Sequence, residues 1–235
     1  MKPAIGIPLR SDADPDGRCY QYVFETPRRA LQKAGALLLP LAPVQDIDYY
    51  ATPGGAWPAL TADELADMDV YLDMVDGLFI PGGFKFCQYD RELLAKAVSR
   101  DIPVLGVCLG LQMMSVYGEN EVAFPKVADE ARHCNREDRL AHDVIIEPDS
   151  LLYRLVGESR ITVNSWHRRC VTANATYRTV AVSDDGVIEA MELPGARFHL
   201  GVQWHPEVLY GTDAYATALI DGFVAACAEY AEIKA

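Results

Sequence analysis

The stretch Pro-Val-Leu-Gly-Val-Cys-Leu-Gly-Leu-Gln, residues 103–112, constrains the fold more than any other part of the chain. It opens as a buried apolar strand, and the residues from Leu109 onward read as a helix that starts immediately after it. When a strand turns into a helix with one residue between them, the two backbones pass close together. The positions two before and two after the turn must then be small. Gly106 and Gly110 hold those positions around Cys108.

The remaining pattern fits the same architecture. Residues 4–8 and 36–39 read as strands flanking a helix at 20–34 that Gly35 closes, a parallel βαβ unit. Residues 45–69 contain Pro53-Gly54-Gly55 and Trp57-Pro58 and read as a surface excursion with a short helix near 62–68. Strands at 77–80 and 103–107 alternate with helices at 91–98 and 109–117. From about residue 140 the texture changes to short strands at 142–146, 160–163, 177–183, 187–193 and 197–202, separated by polar turns. This block is expected to be partly antiparallel and added to one edge of the sheet, with 212–229 as a closing amphipathic helix. No repeat or linker divides the 235 residues. The expectation is one α/β domain over 1–235, a mostly parallel central sheet flanked by helices with an added antiparallel strand region.

Composition narrows the partners. A formal charge of −13 repels nucleic acid and anionic membrane surfaces, and the one dense basic cluster, between Arg132 and Arg139, is interrupted by Glu137 and Asp138. A small molecule is the expected partner. The chain enters an apolar strand-like run at once, with no signal-peptide pattern, and no apolar stretch approaches the roughly 18 residues of a membrane span. Cysteines at 19, 87, 108, 134, 170 and 227 are compatible with three disulfides, but their scatter favours reduced thiols and a cytoplasmic protein.

Three motifs carry chemistry. At the strand-to-helix turn, Cys108 meets first-turn N–H groups that lack intrahelical partners and can stabilise a thiolate or an oxyanion. It reads as a nucleophile, or as a buried structural cysteine between two packing glycines. Gly201-Val-Gln-Trp-His-Pro-Glu207 places His205 just past an apolar strand, on the rim where parallel strands end and ligands bind. Pro206 stiffens the turn so that Glu207 can fold back to one imidazole nitrogen and leave the other for the thiol. Read alone, His-Pro-Glu is also an ordinary surface turn. Pro81-Gly82-Gly83 closes another strand; it is a simple tight turn, or the second N–H source of an oxyanion hole shared with Leu109.

Together these residues resemble the class I glutamine amidotransferase-like superfamily, a flavodoxin-like fold. Within it they are most similar to the family of γ-glutamyl-γ-aminobutyrate hydrolases, peptidase family C26. The resemblance rests on Leu78-Phe-Ile-Pro-Gly-Gly83, Gly106-Val-Cys-Leu-Gly110, Val163-Asn-Ser-Trp-His167, Asp185-Gly-Val-Ile-Glu-Ala190 and Leu200-Gly-Val-Gln-Trp-His-Pro-Glu207. It implies a triad of Cys108, His205 and Glu207, and an oxyanion hole at Gly83 and Leu109. It also implies contacts to a γ-glutamyl moiety from Gly82, Gln112, Ser165, Trp166 and His167. His167 reads equally as a surface histidine at a strand end. Two features depart from the family: Leu109 stands where its small hydrolases often carry arginine, and the segment from Gly83 to Arg91 is short.

The implied activity is hydrolysis of a γ-glutamyl amide through a cysteine thioester. The alternatives are a glutaminase subunit that passes ammonia to a partner synthase and a binding protein that keeps the fold without turnover. No cofactor is expected. His133-Cys134 with His142, and His167 with Cys170, lack a repeated ligand pair at zinc spacing, so no metal is expected either. No motif fixes the oligomeric state, and a homodimer is compatible with the sequence.

Overall fold

The computed structural model describes residues 1–48, 58–119, 123–135 and 138–234. In chain order its elements are β1 (Ala4–Pro8), β2 (Arg10–Ala13), β3 (Cys19–Tyr22), α1 (Glu25–Lys33), β4 (Leu37–Leu41), α2 (Ala62–Met74), β5 (Gly77–Ile80) and α3 (Gln88–Ser99). There follow β6 (Val104–Val107), α4 (Leu109–Ser115), α5 (Glu130–His133), β7 (Leu140–Ile146), α6 (Leu151–Val156) and β8 (Arg160–Asn164). The chain ends with β9 (Arg178–Ser183), β10 (Ile188–Glu192), β11 (His199–Val202), α7 (Pro206–Leu209) and α8 (Ala214–Lys234).

Nine strands form one sheet in the order β4-β1-β5-β6-β11-β10-β9-β7-β8. The first five are parallel, and from β11 onward every pairing is antiparallel. The α/β class, the parallel core and the antiparallel extension all agree with the sequence reading. The parallel strands are buried on both faces, as their unbroken apolar runs require. Phe79 and Leu105 point into one core layer with Phe223 of α8, while Leu78, Ile80 and Val104 point into the other with Leu111 and Met114 of α4.

Close packing of α4 on the sheet sets the geometry of the strand-to-helix turn at Cys108. A Cβ at Gly106 would lie 2.8 Å from the Gly110 carbonyl carbon, and one at Gly110 would lie 2.5 Å from the Ile80 carbonyl oxygen. Gly201, paired with Gly106 across β6 and β11, faces Leu111 and Met114 in the same way. Glycine at these three positions lets the helix rest on the strand backbones.

The N-terminal region differs from expectation. Residues 20–22 belong to the two-stranded β2–β3 sheet, and α1 begins only at Glu25. Asp14 and Gly17 (φ 80°) close the hairpin, whose backbone pairing outweighs the weak helical spacing before residue 25. Pro27 fits the first turn of α1, where a missing N–H costs nothing. The second helix runs on to Met74, opened by a Thr61–Glu64 capping box. Short α5, α6 and α7 fall within segments expected to be turns. The excursion around Pro53-Gly54-Gly55 and Trp57 lies outside the described residues, as does Glu137 of the basic cluster. All six cysteines are free thiols. Among the described residues, no helix is long and apolar enough to cross a membrane.

Candidate active site

Cys108 sits between β6 and α4 with φ 52° and ψ −98°, a conformation that favours glycine. Both flanks impose it. Its N–H donates to the Val202 carbonyl at 2.8 Å, and its carbonyl accepts from the Gln112 N–H at 3.1 Å. A side chain held there costs on the order of 1–3 kcal/mol, a strain that tends to collect at functional sites. Only Asp101 shares a positive φ among the other described non-glycine residues.

The imidazole of His205 follows β11, which pairs with β6 in register, Val202 opposite Val107. The strands therefore deliver Cys108 and His205 to the same rim. Pro206 starts α7 immediately, and this turn brings Glu207 Oε1 to 2.9 Å from His205 Nδ1. Burial disfavours the imidazolium, but the Glu207 carboxylate and the Cys108 side chain outweigh it and hold the His205 pKa well above its ordinary value. The other nitrogen, Nε2, makes no hydrogen bond of ordinary geometry, and Cys108 is the second side chain that interacts with the ring.

Two supports could not be read from local motifs. Asn164, at the end of β8, accepts from the His205 N–H at 2.9 Å and donates to the His205 carbonyl at 2.8 Å. In the sheet order β8 is four places from β11, so no strand pairing predicts this contact. Arg10 is buried after β1, donating to the Pro81 carbonyl at 3.0 Å and pairing with Asp90 at 2.7 Å. It thereby fixes the Pro81–Gly82–Gly83 loop. A Cβ at Gly82 would lie 3.0 Å from His205 Cε1 and 3.6 Å from Cys108 Cβ, so this loop abuts both side chains. Gly83 packs against the Leu109 side chain. The signal for Arg10 was a charged residue directly after a buried strand, but its partner is 80 positions away.

A cavity of about 450 Å³ opens over these groups. Cys108, His205, Glu207, Gly82, Gly83 and Gln112 line it. So do Trp166, which is partly exposed, and the cations Arg168 and Arg169, which the sequence reading did not single out. Leu109 contributes backbone at the start of α4 while its side chain is buried. Ser165 is not brought to the cavity: its hydroxyl is fully buried and donates to the His133 carbonyl at 2.7 Å. His167 touches the cavity wall, yet its ring turns inward and is no surface histidine, with Nδ1 2.9 Å from the Arg169 carbonyl.

Behind that wall lies a second polar cluster. His133, His142, His167 and Glu189 are all buried, and one potential ligand atom of each lies within 4.8 Å of the others. Burial opposes the charge of Glu189, but His133 and His167 outweigh it and keep its pKa below the ordinary value. The four residues come from α5, β7, the segment after β8, and β10, so no short sequence motif contains them.

Comparison with known proteins gives the family and the fold. Residues 88–207 match the family model Peptidase C26. The chain is 29% identical over 206 residues to the gamma-glutamyl-gamma-aminobutyrate hydrolase of Escherichia coli O157:H7, covering 74% of this chain and 81% of that protein. Its fold is similar to the glutaminase domain of Trypanosoma brucei CTPS with bound acivicin, at TM-score 0.64 and 23% identity over 97% of this chain and 94% of that one. It is also similar to a glutamine amidotransferase from Thermotoga maritima, at TM-score 0.56 and 14% identity over 97% of both chains. The family match spans just over half of the sequence, and the chain belongs to the peptidase C26 family of cysteine-dependent amide hydrolases.

Proposed function

We propose that the protein cleaves the γ-glutamyl amide bond of a small γ-glutamyl amine through a thioester on Cys108, releasing glutamate. The observation that carries this reading is the in-register pairing of β6 with β11, which sets Cys108 beside a His205 already held by Glu207 at 2.9 Å. The sulfur attacks the amide carbonyl carbon, and the resulting oxyanion is met by the N–H groups of Leu109 and Gly83. As the C–N bond breaks, the imidazolium of His205 protonates the departing amine. Neutral His205 then takes a proton from water, the hydroxide attacks the thioester, and the C–S bond breaks to return the thiol. The raised pKa of His205 suits it to be the proton donor of the first half.

The rest of the cavity suits the proposed substrate. Gln112 and Gly82 flank the nucleophile, and Arg168 and Arg169 offer cations for the α-carboxylate of a glutamyl head. Exposed Phe24, Phe84 and Trp166 line the same cavity and supply apolar surface for the amine side. Free glutamine gains nothing from that surface, because its leaving group is ammonia. The 29% identity to a γ-glutamyl-γ-aminobutyrate hydrolase supports the same choice.

The second reading, a glutaminase that feeds ammonia to a partner synthase, is favoured by Leu109 next to the cysteine and by the likeness to a CTPS glutaminase domain. Steady-state glutamate release, measured side by side, separates the two. We expect kcat/KM for γ-glutamyl-aminobutyrate or a γ-glutamyl polyamine to exceed that for glutamine by at least about tenfold, roughly 1.4 kcal/mol of transition-state binding. Glutamine as the equal or better substrate would replace the hydrolase reading with the amidotransferase one.

A further inference from the structure

The buried cluster behind the cavity wall has an arrangement of protons that its own residues cannot satisfy. His167 Nδ1 lies 2.9 Å from the Arg169 carbonyl, and His142 Nδ1 lies 3.3 Å from the Asp143 carbonyl. A carbonyl oxygen only accepts, so these outer nitrogens carry the ring protons. His133 Nε2 lies 3.0 Å from the Asp185 carboxylate and is likewise the donor. The three inner nitrogens are then lone pairs, and they converge on a carboxylate. His133 Nδ1 is 3.3 Å from His167 Nε2 and 3.3 Å from Glu189 Oε1. His142 Nε2 and His167 Nε2 are each 3.6 Å from that same oxygen. Both Glu189 oxygens and His142 Nε2 lack a hydrogen bond of ordinary geometry, although the four side chains are between 0% and 5% exposed. Buried acceptors without donors are strongly unfavourable. An added proton on one imidazole would serve some of these contacts, whereas a cation at the centre serves all four groups.

The spacing identifies the kind of cation. In a tetrahedral site with bonds of about 2.0–2.1 Å to nitrogen and oxygen, neighbouring ligand atoms stand about 3.3–3.4 Å apart, close to the 3.3 and 3.6 Å found here. Octahedral coordination at the same bond length would bring neighbours to about 2.9 Å. The outer contacts from each histidine to a carboxylate or backbone carbonyl are the supports that orient metal-bound imidazoles.

We propose that His133 Nδ1, His142 Nε2, His167 Nε2 and Glu189 Oε1 form a closed, four-coordinate site for a divalent transition-metal ion, zinc by preference. The protein fills all four positions and excludes solvent, so the ion is structural. It joins α5, β7, β10 and the segment after β8, and so holds from behind the wall that presents Trp166 and Arg168 to the cavity. The sequence expectation of no metal was drawn from the absence of paired ligands at zinc spacing, a criterion that does not reach this arrangement because each ligand comes from a different element.

The test uses full-length Cys108→Ala protein, purified without a metal-affinity tag from zinc-supplemented medium. That substitution removes the thiol beside His205, where zinc could also bind. Elemental analysis is expected to find about one zinc per chain. Stripping with a chelator should lower Tm by roughly 8 °C or more, with recovery when zinc is returned. Cobalt(II) loaded into the stripped protein should show the intense visible absorption of a four-coordinate ion with no sulfur-to-metal charge-transfer band. Glu189→Gln and His142→Ala should lose the metal. Where those variants fail to fold, stripping and reloading the parent protein decides the matter alone. Less than about a tenth of an equivalent of metal with no thermal response to zinc, or a cobalt spectrum with a thiolate band, would overturn the proposal.

Discussion

The parallel half of the sheet and its antiparallel half each carry a buried polar cluster, assembled in opposite ways. In the parallel half the strands are apolar on both faces, and reactive groups appear only where strands end. Cys108 and His205 meet because β6 and β11 are neighbours in register. In the antiparallel half, His142 and Glu189 project from within strands, and His133 and His167 arrive from flanking segments. That cluster exists only when β7, β10 and both flanks are packed together. The contrast teaches that a strand-end site can lose its chemistry without losing the fold, whereas a cluster inside the packing is part of the fold.

The sharpest way to break this contrast is Cys108→Ala. It removes one small sulfur from the rim, so turnover should fall by about 10⁴-fold or more, over 5 kcal/mol of transition-state stabilisation. Tm should stay within a few degrees, as read by glutamate release and calorimetry on one preparation. Substantial hydrolysis by the well-folded variant, or wholesale unfolding, would end the distinction.

A second probe lies at the opposite end of β11. His199 is buried, and burial pushes its pKa down to about 4 from an ordinary 6.5. Below pH 6.5 the unfolded chain takes up a proton that the folded chain refuses, so this residue costs stability as pH falls, and the loss levels off below pH 4. The slope is about 1.4 kcal/mol per pH unit, or about 3 kcal/mol by pH 4. His199→Leu should lack that component. The difference in urea-unfolding free energy between wild type and variant should therefore shift by this amount between pH 7 and pH 4, with neutral-pH turnover little changed. A difference that stays constant with pH would refute the assignment.

The smallest effect sharpens the comparison where the halves touch. Asn164 belongs to the antiparallel edge strand but holds the backbone of His205 with two hydrogen bonds. Asn164→Ala should cost about 2 kcal/mol of stability and about tenfold in kcat, because it both strands buried groups and loosens the imidazole. Loss of only one property, in parallel melts and kinetics, would mean that the two halves are less coupled than this contact implies.

The same division explains what could be read from sequence. Gly106 to Gly110 are five residues of one turn, and His205 to Glu207 are three of another, so the expectations for Cys108 and His205 follow from local geometry. Strand and helix positions in the parallel half were legible from continuous apolar runs bounded by glycine and proline. The β2–β3 hairpin was not, because Tyr20 and Tyr22 are compatible with a strand as much as with the start of α1. Arg10 was hidden because its buried charge is explained only by Asp90 and the Pro81 carbonyl. Ser165 and His167 carry the right letters for substrate contacts, but the segment after β8 turns the hydroxyl to the His133 carbonyl and the imidazole to the Arg169 carbonyl. The His133–His142–His167–Glu189 cluster escaped because antiparallel packing, and no sequence spacing, brings it together.

Cys108 holds a backbone conformation, φ 52°, that glycine would adopt freely and that a side chain occupies at a cost. Stability by itself thus favours glycine at this position, and only chemistry favours cysteine. Gly106 and Gly110 are under the opposite pressure, since any side chain there collides with backbone. A descendant lineage that gave up catalysis but kept its shape would drift at position 108 toward glycine while its neighbours stayed fixed. The residue found there would serve as a record of whether that lineage still makes and breaks bonds.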